Sequence, residues 1–148
     1  MTHRLGIAIA VAGTLMLSGC IVEKWTTPAD ELKVLLGYYA HIKRLEQEQR
    51  QIRGTYVDLV NLSRTDQDKG EFRVRSECEG GYCFKLSAHH EGYQLRIVPH
   101  RDVLASLQPR RMSLYADQTG LVHISYGHPL ADEHSPTLSS EELRRFTP

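Results

Sequence analysis

The sequence has no surplus of charge of either sign: eighteen Lys and Arg stand against eighteen Asp and Glu. A balanced chain has no overall field to draw nucleic acid or an anionic lipid surface, so nucleic-acid binding is not expected. There is no Gly-x-Ser-x-Gly, no His-Glu-x-x-His and no glycine-rich phosphate loop, which removes the nucleophile elbow, the zincin helix and the phosphate cradle together. Internal repeats and low-complexity tracts are missing. Beyond residue 20, no apolar run approaches the roughly twenty residues that a spanning helix needs. Paired carboxylates occur only as Asp30-Glu31, Asp132-Glu133 and Glu141-Glu142, a pattern typical of solvated surfaces and helix starts. No catalytic residue and no cofactor are expected from these absences.

What is present starts at the N-terminus. His3 and Arg4 precede a short apolar run from Leu5 that ends in Leu17-Ser18-Gly19-Cys20. The run is too short to span a bilayer, and the basic start and small residues before the break fit a cleaved secretory leader. These residues resemble a bacterial lipoprotein signal peptide with its lipobox. The resemblance implies removal of residues 1–19 and diacylglyceryl transfer to the Cys20 sulfur. Palmitate-type chains on one cysteine then hold the protein on the membrane almost permanently. In such families, an aspartate after the lipidated cysteine favours inner-membrane retention. Ile21 stands there instead, so the resemblance favours an outer-membrane anchor facing the periplasm. An ordinary leader with a coincidental Cys20 is the competing reading.

Loss of the leader leaves about 130 residues, the size of one domain. The other cysteines, Cys78 and Cys83, flank Glu79-Gly80-Gly81-Tyr82. In an oxidising compartment, such a pair around a Gly-Gly turn reads as a disulfide across a hairpin. A redox pair or half a metal site are the alternatives, but redox motifs usually space their cysteines by two residues, and no second Cys pair completes a zinc site.

Along the chain, Ile21 to Thr26 forms a short tether carrying Trp25. Thr27-Pro28-Ala29-Asp30 has the cap, the first-turn proline and the carboxylate of a helix start. Leu35, Tyr38 or Tyr39, Ile42, Leu45, Ile52 and Tyr56 then recur at helical spacing. Lys43, Arg44, Glu46, Glu48, Arg50 and Arg53 read as the solvated face, Gln49 as a break in the stripe, and Gly54 as the stop. Tyr56 to Leu62 reads as a turn of helix or a tucked loop, and Ser63 to Gly70 as a polar break. The period then changes to two. Strands are expected at Phe72 and Val74, at Tyr82 to Leu86, at Tyr93 to Ile97, and around Met112–Ala116 and Leu121–Tyr126. The last two are joined by a tight Asp117-Gln118-Thr119-Gly120 turn. The tail after His128 holds a short helix at most, Ser140 to Phe146. The expected fold class is α+β: one long N-terminal helix packed on an antiparallel sheet of about four to five strands. The corresponding division is residues 1–19 leader, 20–26 lipidated tether, 27–138 domain and 139–148 C-terminal tail.

Three stretches support a closer comparison. They are Gly54-Thr55-Tyr56-Val57-Asp58-Leu59-Val60-Asn61-Leu62 after the helix, Gly92-Tyr93-Gln94-Leu95-Arg96-Ile97-Val98-Pro99, and the hairpin Ser113-Leu114-Tyr115-Ala116-Asp117-Gln118-Thr119-Gly120-Leu121-Val122-His123. In this order, from Leu35 to about Leu138, they resemble the soluble heads of type IV pilins and of the pseudopilins of type II secretion. The resemblance implies a non-enzymatic domain that makes protein contacts with secretion or pilus machinery. The chain departs from that family at its start, because it lacks the Gly, Phe and Glu of a prepilin and the apolar helix behind them. Filament assembly through such a helix is therefore not expected; lipid on Cys20 takes over the anchoring alone.

Eight histidines supply the rival reading, a periplasmic metal-binding or hydrolytic lipoprotein using the second half of the chain. Its densest group is His123, His128, Asp132, Glu133 and His134. Most of these fall in a proline-containing tail rather than on rigid elements, so they read as surface histidines, and no metal site is assigned. Arg110-Arg111 with Arg73, Arg75, Arg96 and Arg101 reads as outward arginines that keep a sheet edge soluble. A basic strip for an acidic partner or lipid head groups is the alternative.

Overall fold

A computed structural model describes residues 28–65, 74, 76–100 and 111–146. Helix α1 runs Pro28–Arg53 and a short α2 runs Leu59–Thr65. The strands are β1 Cys78–Glu79, β2 Tyr82–Ala88, β3 Tyr93–Pro99, β4 Met112–Asp117 and β5 Val122–Tyr126, and α3 Ser140–Phe146 closes the order. All neighbours in the five-stranded sheet, order β1-β2-β3-β4-β5, are antiparallel. This is an α+β architecture. No described helix is long and apolar enough to cross a membrane. Cys20, Trp25 and the Thr27 cap lie outside the described residues.

Helix α1 ends where glycine permits the left-handed turn: Gly54 has φ 75°, and its N–H donates to the Arg50 carbonyl at 2.8 Å. Leu35, Leu36, Tyr38, Tyr39, Ile42 and Leu45 are buried against the inner face of the sheet, which contributes Phe84, Leu95, Ile97, Leu114 and Val122. The stripe differs from expectation at its C-terminal end. Ile52 is 76% exposed, whereas Glu46 and Gln49 are buried. There the segment beginning at Tyr56 turns back onto the helix: Arg50 Nη1 donates to the Tyr56 hydroxyl at 2.6 Å and Val57 N to Glu46 Oε2 at 3.1 Å. Asp58 caps α2 through its carboxylate, which accepts from Asn61 N at 2.8 Å. The cap carries the helix through Ser63–Thr65, into the expected polar break.

Of the strand expected at Phe72 and Val74, only Val74 is described, and it is buried but not in a strand; among the described residues pairing begins at Cys78, and Phe72, Arg73 and Arg75 lie outside them. Gly80 and Gly81, at φ 57° and 77°, form a two-residue hairpin turn that sets Cys78 directly opposite Cys83. Gly80 is doubly constrained, since a Cβ there would collide with the Tyr38 hydroxyl of α1. At the other hairpin, the Asp117 carbonyl accepts from Gly120 N at 3.1 Å and its carboxylate from Thr119 N at 2.8 Å.

The C-terminal segment is part of the packing. Ser125 Oγ donates to Pro129 O at 2.6 Å, Ala131 N to Ser113 Oγ at 2.8 Å, and Leu138 N to Val122 O at 2.8 Å. The segment thus crosses the outer face of β4–β5 and then runs along the β5 edge, with a bridge between His123 and Thr137. Ser139 and Glu142 cap α3 reciprocally: Glu142 N donates to Ser139 Oγ at 3.2 Å and Ser139 N to Glu142 Oε2 at 2.8 Å. Leu143 then packs against the core.

Candidate functional site

The outer face of the sheet is divided in two. On β4 and β5, Ser113, Tyr115 and His123 point outward yet are buried under the C-terminal segment. On β2 and β3, Lys85, Ser87, Gln94 and Arg96 are exposed. Strand register aligns Lys85 with Arg96, Arg96 with Tyr115, and Tyr115 with His123 in one row across four strands. The row begins with two exposed cations and ends beneath the covering segment. Arg96 lies over the Tyr115 ring at 5.7 Å, and the His123 ring is 5.8 Å from that of Tyr115. An open hollow of about 350 Å³, lined by His89, Glu91, Gly92, Tyr93, Gln94 and Gln118, adjoins this exposed half.

Like charges directly opposite one another on adjacent strands cost a few tenths of a kcal/mol or more. Lys85 and Arg96 sit that way, and among the described residues no carboxylate forms an ion pair with either. Arg96 belongs to the central strand, so the expectation that it protects a sheet edge does not hold. Arg111 does not join a strip either. Its guanidinium lies over the Tyr82 ring at 4.7 Å, with Nε 3.6 Å from Glu31 Oε1. Arg73, Arg75, Arg101 and Arg110 lie outside the described residues.

Two carboxylates expected in solvent are instead buried. Glu31, in the first turn of α1, accepts from the Tyr82 hydroxyl at 2.5 Å and from Met112 N at 3.0 Å. Burial and the adjacent Glu31 carboxylate hold the Tyr82 phenol well above its ordinary range. Glu46 has no exposed surface; it accepts from Val57 N at 3.1 Å, while its Oε1 has no hydrogen-bond partner. Desolvation pushes its pKa up to about 7, the Val57 hydrogen bond opposes this, and Asp58 adds to it. Both carboxylates lie between α1 and the elements packed against it, where they tie the fold together.

The histidine group of the rival reading does not converge among the described residues. His123 is bound by its Nδ1 to the Ser135 carbonyl at 2.7 Å, so it is a buried packing residue and not a surface one. His134 is exposed and 3.5 Å from Glu133. Cys78 and Cys83 are bonded at 2.07 Å. Sequence reasoning missed that β3 returns His100 to this pair: the two sulfurs and an imidazole nitrogen lie within 4.8 Å of one another. The alternation that pairs β2 with β3 is the signal that could have found it. Compared with family models, curated proteins and solved structures, this chain has no match.

Proposed function

We propose that this protein is a non-catalytic, lipid-anchored envelope protein whose pilin-like domain holds an acidic segment of an envelope protein partner on the open β2–β3 half of its outer sheet face. The observation that carries the reading is the Lys85–Arg96 cross-strand pair, with which no carboxylate forms an ion pair among the described residues, beside a half-face that the C-terminal segment covers. Folding alone gains nothing from placing two cations opposite each other, whereas a partner's carboxylates would be held by both. Lipid on Cys20 is proposed as the anchor, in an outer membrane facing the periplasm. The order of one long helix followed by antiparallel strands supports the pilin-like part of the reading, with secretion or pilus machinery as the class of partner.

Lys85→Glu separates binding from folding. It turns the repulsive pair into an attractive one, so stability should stay equal or rise by about 0.2–1 kcal/mol. Co-purification of the partner from detergent-solubilised envelopes should fall roughly tenfold. Undiminished recovery with Lys85→Glu would remove this face from the interaction.

A further inference from the structure

We propose that reduction of the Cys78–Cys83 disulfide creates a binding site for a thiophilic d10 metal ion, formed by the two thiolates and the imidazole of His100. Among the described residues this is the one trio of His, Cys, Asp or Glu whose donor atoms gather within 4.8 Å. Two ligand atoms on one tetrahedral ion stand roughly 3.5 Å apart, given metal–sulfur and metal–nitrogen bonds of about 2.3 and 2.0 Å. Two thiolates and one imidazole are the soft donor set that selects zinc or cuprous ions over magnesium or calcium. Cys78 and His100 are exposed and Cys83 half-buried, so an ion has a path in, and water can complete the coordination.

Contacts other than the sulfur bond also hold the hairpin. Phe84 N donates to Glu77 O at 2.7 Å, His100 N to Gly81 O at 2.9 Å, and Ser76 Oγ to Cys78 O at 2.6 Å. Gly80 is seated against Tyr38 of α1. These contacts keep both cysteines on one side of the hairpin and hold the end of β3 beside it. A dithiol supplies two electrons and two protons, leaving two thiols and its own disulfide. The ion then displaces both thiol protons to solvent, while neutral imidazole contributes a nitrogen lone pair.

The test titrates zinc into the full chain carrying Cys20→Ser, so that only these two thiols remain. It compares oxidised protein with protein reduced by a phosphine, which is converted to its oxide with consumption of one water. Reduced protein should bind one equivalent, at least about a hundredfold more tightly than oxidised protein. Cys83→Ser should abolish this uptake, and His100→Ala should weaken it about tenfold or more. Equal binding by the oxidised form, no binding by reduced and folded protein, or His100→Ala binding as tightly as the parent would each overturn the proposal. So would loss of the fold on reduction, read by circular dichroism, because the ligands would then lack their frame.

Discussion

Glu31→Ala should lower the unfolding free energy by about 3–5 kcal/mol, the range for removing one partner from a buried charge pair. The carboxylate oxygen Oε1 accepts from Tyr82 of β2 and from the backbone N–H of Met112 in β4, and Arg111 faces it. Alanine removes all three interactions together. It leaves the Tyr82 hydroxyl and the Met112 N–H without the Glu31 acceptor, beside a guanidinium whose Nε and Nη2 have no hydrogen-bond partner. Glu31→Gln keeps an acceptor for Tyr82 and Met112 and loses only the charge, so it should cost roughly half as much or less. Urea unfolding of both variants checks the order. An alanine variant within about 1 kcal/mol of the parent would show that the cluster contributes little.

The second large effect is a pH dependence set by Glu46. In the folded protein its pKa is raised from 4.5 to about 7 because the carboxyl is desolvated, with Asp58 adding to the shift and Val57 N–H opposing it. Tyr93, from the sheet, senses the same carboxylate, and burial moves its phenol upward too. Between the two pKa values the folded state binds more protons than the unfolded one, so stability falls as pH rises. The contribution is fully present below pH 4.5 and is lost as pH passes through about 7. From pH 5 to pH 8 the loss attributable to this group is about 2 kcal/mol. Glu46→Gln retains an acceptor for Val57 N–H and cannot ionise. It should remove that part of the slope and exceed the parent in stability at pH 8 by about 3 kcal/mol, the full shift at about 1.4 kcal/mol per unit. Parallel pH profiles for the two proteins would contradict the assignment.

These two carboxylates also mark where sequence patterns stop being informative. Leu35, Ile42 and Leu45 announce the buried face of α1 because their spacing is a local property, and the Asp117–Gly120 turn is likewise written in adjacent residues. The partners of Glu31 lie 51 and 81 positions away, and no local pattern distinguishes that glutamate from a solvated one at a helix start. Glu46 sits among charged neighbours and shares their local pattern, although Val57 turns back to cap it. The two-sided burial of β4 had a visible trace in the run Met112-Ser113-Leu114-Tyr115-Ala116, which does not alternate cleanly between apolar and polar. What covers its outer face is a largely polar segment around Ala131, a composition like that of a solvated tail. The exposed pair Lys85 and Arg96 was present as two outward residues on separate strands. Only the register makes them neighbours, and only the strand order places Arg96 in the middle of the sheet.

In the proposed function, a membrane-held domain meets its partner through the open half of one sheet face. Site-specific photo-crosslinking in intact envelopes tests this most directly, with the crosslinking side chain placed at exposed Gln94 on that face or at exposed Val60 on α2. A discrete protein adduct is expected from position 94, retained in the membrane fraction and lost when Lys85→Glu is added, with none from position 60. No adduct at 94, or the same adduct from both positions, would contradict it.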